Sequence, residues 1–352
     1  MNRKSFASIE YKEHPDLKKY YKFDWNYTNK NTDIDLEIVQ EIINFKNNFN
    51  LESITGTGEW QFLQQKKQIQ YINALNELNI NKLSNIYANM FKNDSTYGYL
   101  SPSFYDIETP MKGRRVLSNI LCNIDTCIEF TGIDNFSHLT TNRALGSPYG
   151  IPFNDGFILP DTPRHFYYAK KILDLLFNKS EIKLLEIGGG YGDLAKRLST
   201  ICNKDMTYCC ISLLPSLFTS FYFLRKSKIK VKLINSMDEI EKGFINLLPY
   251  QSFLRSKHKN CKFDLVFNAR GFSEMSLKTL NMYFEFINNI KPEFIYHENS
   301  NYLLFPESKR HIELLSDQFP ISQKEYQLTN FHITPYTGGN GRYREYIYKK
   351  KI

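Results

Sequence analysis

Residues 183–197 read KLLEIGGGYGDLAKR, a strand-like run, a glycine cluster and a helical pattern in direct succession. The apolar run Ile182–Ile187, with Lys183 as its one polar member, has the make-up of a buried strand. Gly188, Gly189, Gly190 and Gly192 follow, and a helical pattern begins near Asp193. Glycines let the chain bend sharply and let a ligand approach the backbone with no side chain in the way. A helix start presents N–H groups that lack intrahelical partners and so suit a negatively charged group. Two cofactor classes use such a strand, turn and helix. A dinucleotide-binding turn has the spacing G-x-G-x-x-G, which holds a pyrophosphate. Here the third position after Gly190 is Asp193, and an acid is badly placed beside a pyrophosphate. Glu186, by contrast, stands on the strand, two residues before the first glycine.

Outward from this stretch, strand-like runs recur at 207–212, 230–235, 263–268 and 293–297. Helical patterns at 165–178, 217–225, 276–290 and 309–319 lie around and between them. Strands alternating with helices imply right-handed crossovers and a parallel sheet covered on both faces. Two closing strands, 322–328 and 345–349, flank the turn residues Gly338, Gly339, Asn340 and Gly341, which predicts an antiparallel hairpin at the end of the sheet. Upstream, residues 132–163 are rich in glycine and proline, and their aromatic content (Phe136, Tyr149, Phe153, Phe157) favours a packed binding loop over a linker. Earlier still, Ile38, Ile42, Phe45 and Phe49, then Leu63 to Leu78, then Leu83 to Phe91, keep helical spacing. The expected division is a helical cap and substrate region over 1–131, an active-site loop over 132–163 and a cofactor domain over 164–352.

Of the 352 residues, 42% are hydrophobic and 23% charged, which excludes a disordered chain. No apolar run approaches the ~18–20 residues of a membrane helix, and the polar start shows no secretory signal. The six cysteines (Cys122, Cys127, Cys202, Cys209, Cys210, Cys261) form no CxxC pair, which argues against a zinc site and fits a reducing cytoplasm. The net charge of +8 is diffuse and carries no nucleic-acid-binding signature. It would help recruit an anionic substrate.

The order acid, x-G-x-G-x-G, carried by Glu186, Gly188, Gly190 and Gly192, resembles motif I of class I S-adenosylmethionine (SAM)-dependent methyltransferases. The resemblance implies an α/β, Rossmann-like fold with a seven-stranded, mostly parallel sheet and a helical N-terminal region. It implies SAM as cofactor and S-adenosyl-L-homocysteine as product. By the same resemblance, Gly188, Gly189, Gly190 and Gly192 pack against the methionine and ribose portions, and Glu186 helps hold the amino end. Ser212 stands where the class usually has an acid for the ribose hydroxyls; one uncharged bond in its place weakens binding by ~1–2 kcal/mol. Met237 and Asp238 follow the third strand, where the class meets the adenine. Asn268 ends the fourth strand and is a candidate to orient the sulfonium side.

The stretches LLEIGGGYGDLAKRL, FDLVFNARGFSEMSLKTLNMYF and FIYHENSN, with LGSPYG at 145–150, resemble sugar O-methyltransferases of bacterial polysaccharide gene clusters. The similarity spans roughly residues 140–350. It implies methyl transfer to a hydroxyl of a sugar or nucleotide-linked sugar in capsule or lipopolysaccharide biosynthesis. Such a transfer needs the oxygen held near the methyl group and its proton removed. Candidates for the base are His297 and Glu298 at the end of the fifth strand and Glu274 after the fourth. His297 comes first because its intrinsic pKa suits the task; His138, Asp155 and His165 are further options. Carboxylates at metal-ligand spacing are missing after the fourth strand, so no metal is expected. Tyr97, Tyr99, Phe104 and Tyr105 are candidates to stack on a sugar ring or a nucleotide base, and Arg114, Arg115, Arg143 and Arg164 to hold the phosphate of a nucleotide-linked sugar. Two alternatives stay open: a methyltransferase of a non-sugar small molecule, and a non-catalytic binding protein of the same fold, weakened at Ser212.

Overall fold

The computed structural model describes residues 13–20, 34–49, 58–99, 110–255, 261–301, 312–336 and 342–351. Phe104, Tyr105 and the turn at 338–341 lie outside these, as does the side chain of Arg115. The N-terminal part is helical, as the spacing of its apolar positions requires: α1 (Leu36–Lys46), α2 (Glu59–Lys66), α3 (Ile69–Glu77), α4 (Ile80–Ala88) and α5 (Pro110–Thr131). Asp35 and Asn79 cap α1 and α4, accepting the backbone N–H of Ile38 and Lys82.

The glycine- and proline-rich stretch holds a small antiparallel sheet. β1 (Thr140–Asn142) and β2 (Ile151–Phe153) flank β3 (Gly156–Ile158). A side chain at Gly156 would strike Thr140 and Thr141 across the pair, so only glycine lets the strands close. This sheet shares a core of its own with α5 and Phe166.

Then come α6 (Thr162–Leu175), β4 (Glu181–Ile187), α7 (Asp193–Ile201), β5 (Asp205–Ser212), α8 (Leu214–Lys226), β6 (Val231–Leu233) and β7 (Ile245–Pro249). They are followed by α9 (Tyr250–Arg255), β8 (Leu265–Ala269), α10 (Leu277–Ile290), β9 (Phe294–Ser300), β10 (Tyr326–Ile333) and β11 (Tyr343–Lys350). Among the described residues the main sheet has eight strands in the order β10-β11-β9-β8-β4-β5-β7-β6. β11 runs against both its neighbours, and the other pairings are parallel.

This is the mostly parallel α/β sheet with a helical N-terminal region, carrying eight strands where seven were expected. The added strand is β7, inserted between β5 and β6. Its sequence INLLP hides it, because Asn246, its second residue, reads as loop. That side chain is buried and donates to the carbonyls of Tyr208, Glu241 and Phe244, so a polar residue stitches the strand in place. The helix predicted over 309–319 is not formed in its described part, 312–319; Phe319 there turns into the core beneath α10.

Alternation along the strands divides the core into two layers. On one face Leu184, Tyr208, Cys210, Phe267 and Tyr296 meet α6, α7 and α8 together with α1, α3 and α4. On the other Leu185, Ile187, Cys209, Val266 and Ile295 meet α9 and α10. The first layer runs straight across residue 131: Tyr71 donates to the carbonyl of Pro215 at 2.8 Å, and Tyr87 stacks on Tyr222 with centroids 5.0 Å apart.

Candidate active site

The carboxyl ends of β4, β5, β7 and β8 and the start of β11 open onto one cavity of about 630 Å³. That volume suits a small ligand. Its floor is the glycine turn. Gly188, Gly190 and Gly192 have φ of +82°, +56° and +92°, a region that costs other residues strain. A side chain on Gly189 would strike the Glu186 carboxyl and Cys210 Sγ, so the turn lies directly on Glu186. Glu186 is buried and accepts from the Tyr208 hydroxyl. Burial pushes its carboxyl up to about 7, with the bonds from Tyr208 and Cys210 pulling the other way. Ser212 ends β5 at the same cavity. Tyr250 lines it just beyond Pro249, which β7 pairs with Ser212.

Several predicted residues sit elsewhere. Because β7 displaces β6 by one strand, Met237 is buried in the second core layer and Asp238 is exposed; neither lines the cavity. Tyr250, just beyond β7, lines the cavity next to the end of β5 instead. Gly192 caps α7 and packs on Ser220 and Leu224 rather than on the cavity. Asn268 is buried behind the floor: its amide donates to the Ile187 carbonyl at 2.6 Å, and its oxygen accepts from the Phe272 N–H and the Asn299 amide at 3.0 and 2.8 Å. It therefore holds the junction of strand and turn.

Among the candidate bases, Glu274 lines the cavity and accepts from Trp60 Nε1 at 2.8 Å. Burial pushes its carboxyl up to about 7, against the pull of Trp60 and Arg342. His297 does not reach the site. The strand period turns it to the opposite face, fully buried against Phe319, Tyr346 and Tyr348. Neither ring nitrogen has a hydrogen-bond partner among the described residues, and burial lowers its pKa to about 3. Such a ring is a neutral filler and not a base. Glu298 faces the other way but lies behind the cavity wall, where Oε1 accepts from Arg270 Nε at 2.9 Å. His165 lines the cavity with Nδ1 3.0 Å from Asp193 Oδ2, whereas His138 and Asp155 do not line it. Of residues 132–163 only Asp161 lines it.

The helical region contributes Trp60, Leu63, Tyr97 and Tyr99 to the walls. Trp60 stacks on Tyr99 at 4.8 Å and 28°, and the Tyr99 ring lies over Gly190, with its hydroxyl on Ser216. Arg164 also lines the cavity; Arg114 and Arg143 do not. Sequence reasoning missed Trp60, Tyr250, Arg270 and Arg342 as site residues. Trp60 reads as the apolar head of a helix, since its partner Glu274 is 214 residues away. Among the described residues no group of three or more His, Cys, Asp and Glu side chains could hold a metal ion, and no helix is long and apolar enough to cross a membrane.

No protein-family model and no curated protein matches the sequence. Among solved structures, the chain is similar to the methyltransferase domain of bacterial CtHen1-C, at 15% identity and a TM-score of 0.38, covering 52% of this chain and 96% of that one. It is similar to an S-adenosylmethionine-dependent methyltransferase from Clostridium acetobutylicum ATCC 824, at 11% identity and a TM-score of 0.36, covering 52% and 90%. The likeness to the small RNA methyltransferase HEN1, at 12% identity and a TM-score of 0.37, covers 53% of this chain and 25% of that one. Likenesses this distant say nothing of substrate; the strand order and the glycine turn themselves define the fold.

Proposed function

We propose that the protein is a SAM-dependent O-methyltransferase whose acceptor is a hydroxyl of a sugar or nucleotide-linked sugar in surface polysaccharide biosynthesis. The observation that carries the reading is the meeting of Glu186, the Gly188–Gly190 turn and Glu274 on one cavity. The residues present fit the cofactor. Bare glycine backbone admits it, Glu186 would hold its cationic amino end, Ser212 would bond one ribose hydroxyl, and Tyr250 offers a ring to the adenine. When bound, SAM supplies an electrophilic methyl group. Glu274 then takes the proton of the acceptor hydroxyl as the new bond forms. A carboxyl near pKa 7 is about half ionised at neutral pH, which suits a general base. Trp60 bonds Oε2 and fixes the carboxyl, leaving Oε1 for the acceptor. The sugar class is supported by the resemblance of residues 263–284 and 294–301 and by a chamber walled with aromatic rings.

Calorimetric titration with SAM and its demethylated product tests the cofactor, with a thermal shift beside it. A ligand at ~100 times its Kd stabilises the fold by ~2.7 kcal/mol. Micromolar binding is expected, followed by transfer of labelled methyl to nucleotide-linked sugars. Absence of binding at millimolar SAM would favour the non-catalytic alternative. Transfer to small non-sugar alcohols alone would move the acceptor class.

A further inference from the structure

Three guanidinium groups share the wall of the cavity: Arg164 near the start of α6, Arg270 just beyond β8, and Arg342 just before β11. Topology gathers them. β9 lies between β8 and β11, and β11 is antiparallel, so the end of one and the start of the other reach the same edge of the sheet. Arg270 and Arg342 both lie on the ring of Tyr343, with guanidinium carbons 4.2 and 5.1 Å from its centroid. Arg164 is near enough to Arg270 for their charges to oppose each other.

Two of these groups are fixed from behind, with edges left over. Glu298, fully buried, takes Nε of Arg270 at 2.9 Å, and the terminal nitrogens of Arg270 have no hydrogen-bond partner among the described residues. Arg164 gives one terminal nitrogen to Asp161 at 3.3 Å and the other to the Tyr168 hydroxyl at 3.4 Å, while its buried Nε has no partner among the described residues. The backbone adds a second clamp. Arg270 has φ of +62°, uncommon outside glycine, and its N–H donates to the Glu298 carbonyl at 2.6 Å. A strained residue doubly tied to one buried acid is a device for aiming a side chain.

One carboxylate is satisfied by one guanidinium fork; three guanidiniums on one wall match a group with charged oxygens on several sides. We propose that Arg164, Arg270 and Arg342 bind a phosphoryl group of the acceptor, so that the methylated hydroxyl belongs to a phosphate-bearing compound and not to a free neutral sugar. That the bound phosphoryl group belongs to a methyl acceptor rests on the methyltransferase reading; the anion site does not.

The probe is inorganic pyrophosphate, titrated calorimetrically into the full-length protein at low salt without cofactor. Expected is binding that weakens at least tenfold in Arg342→Gln and in Arg270→Lys, the second of which keeps a cation beside Glu298. Affinity for SAM should stay within twofold in both variants, and circular dichroism melting confirms that each is folded. Acetate, a single carboxylate, should bind at least tenfold more weakly than pyrophosphate. Three results would overturn the proposal: no pyrophosphate binding at millimolar concentration, equal binding by wild type and variants, or weakened SAM binding with pyrophosphate unaffected. The last would assign the arginines to the carboxylate of the cofactor. Pyrophosphate binding by a protein that ignores SAM would instead remove the methyltransferase reading and leave the anion site standing.

Discussion

At the scale of single residues, the two cavity carboxyls lead to separate tests. Glu274→Gln keeps the bond to Trp60 but removes the base, so methyl transfer should fall by ~10²–10⁴ with SAM binding retained. Equal turnover by that variant would dismiss Glu274 as the base. Glu186 is best tested through stability. Its folded pKa of about 7 exceeds the ordinary 4.5, so between those values the folded chain binds more protons than the unfolded one. Stability from this group is thus full below about pH 4.5 and falls as pH rises to 7, by on the order of 2–3 kcal/mol. Denaturant midpoints at pH 5 and 8 should show that fall in the wild type and a flatter response in Glu186→Gln. Ser212→Asp supplies the acid that motif I enzymes usually carry at this strand end. An added charge-assisted bond to ribose should tighten SAM about five- to tenfold by calorimetry.

At the scale of elements, Trp60 and Tyr99 bring the helical region down onto the glycine turn. An indole N–H bonded to a carboxyl favours its charged form. Trp60→Phe keeps the ring but loses that donor, so the acid limb of the pH–rate profile should move upward by roughly one unit. An unmoved limb would mean that the bond does not tune the base. What the sequence made legible at this scale was periodicity. β4, its glycine turn and α7 follow from a run of apolar residues, glycines that a side chain would jam, and a helical face. β7 was not legible, because Asn246 earns its place through three carbonyls that no linear pattern reveals. His297 looked catalytic because sequence gives residue type and strand end. Which face a strand residue takes is settled by its register against β8 and β11.

At the scale of the molecule, the boundary at residue 131 marks a change of sequence texture, whereas the core does not break there. Ile38, Tyr71 and Tyr87 pack in the same cluster as Phe218, Tyr222 and Phe267. Calorimetry of the full chain should therefore give one cooperative transition, and a chain of residues 132–352 alone should melt without one and bind dyes for exposed apolar surface. Two resolved transitions would contradict a shared core. The bond from Trp60 to Glu274 closes a span of 214 residues. Contacts so far apart in sequence are late ones, since the chain between them must be ordered first. On the ribosome, that wall of the chamber cannot close until β8, the fifth parallel strand of the α/β half, has emerged. Recovery of Trp60 fluorescence during refolding would then time the last stage of folding rather than its first collapse.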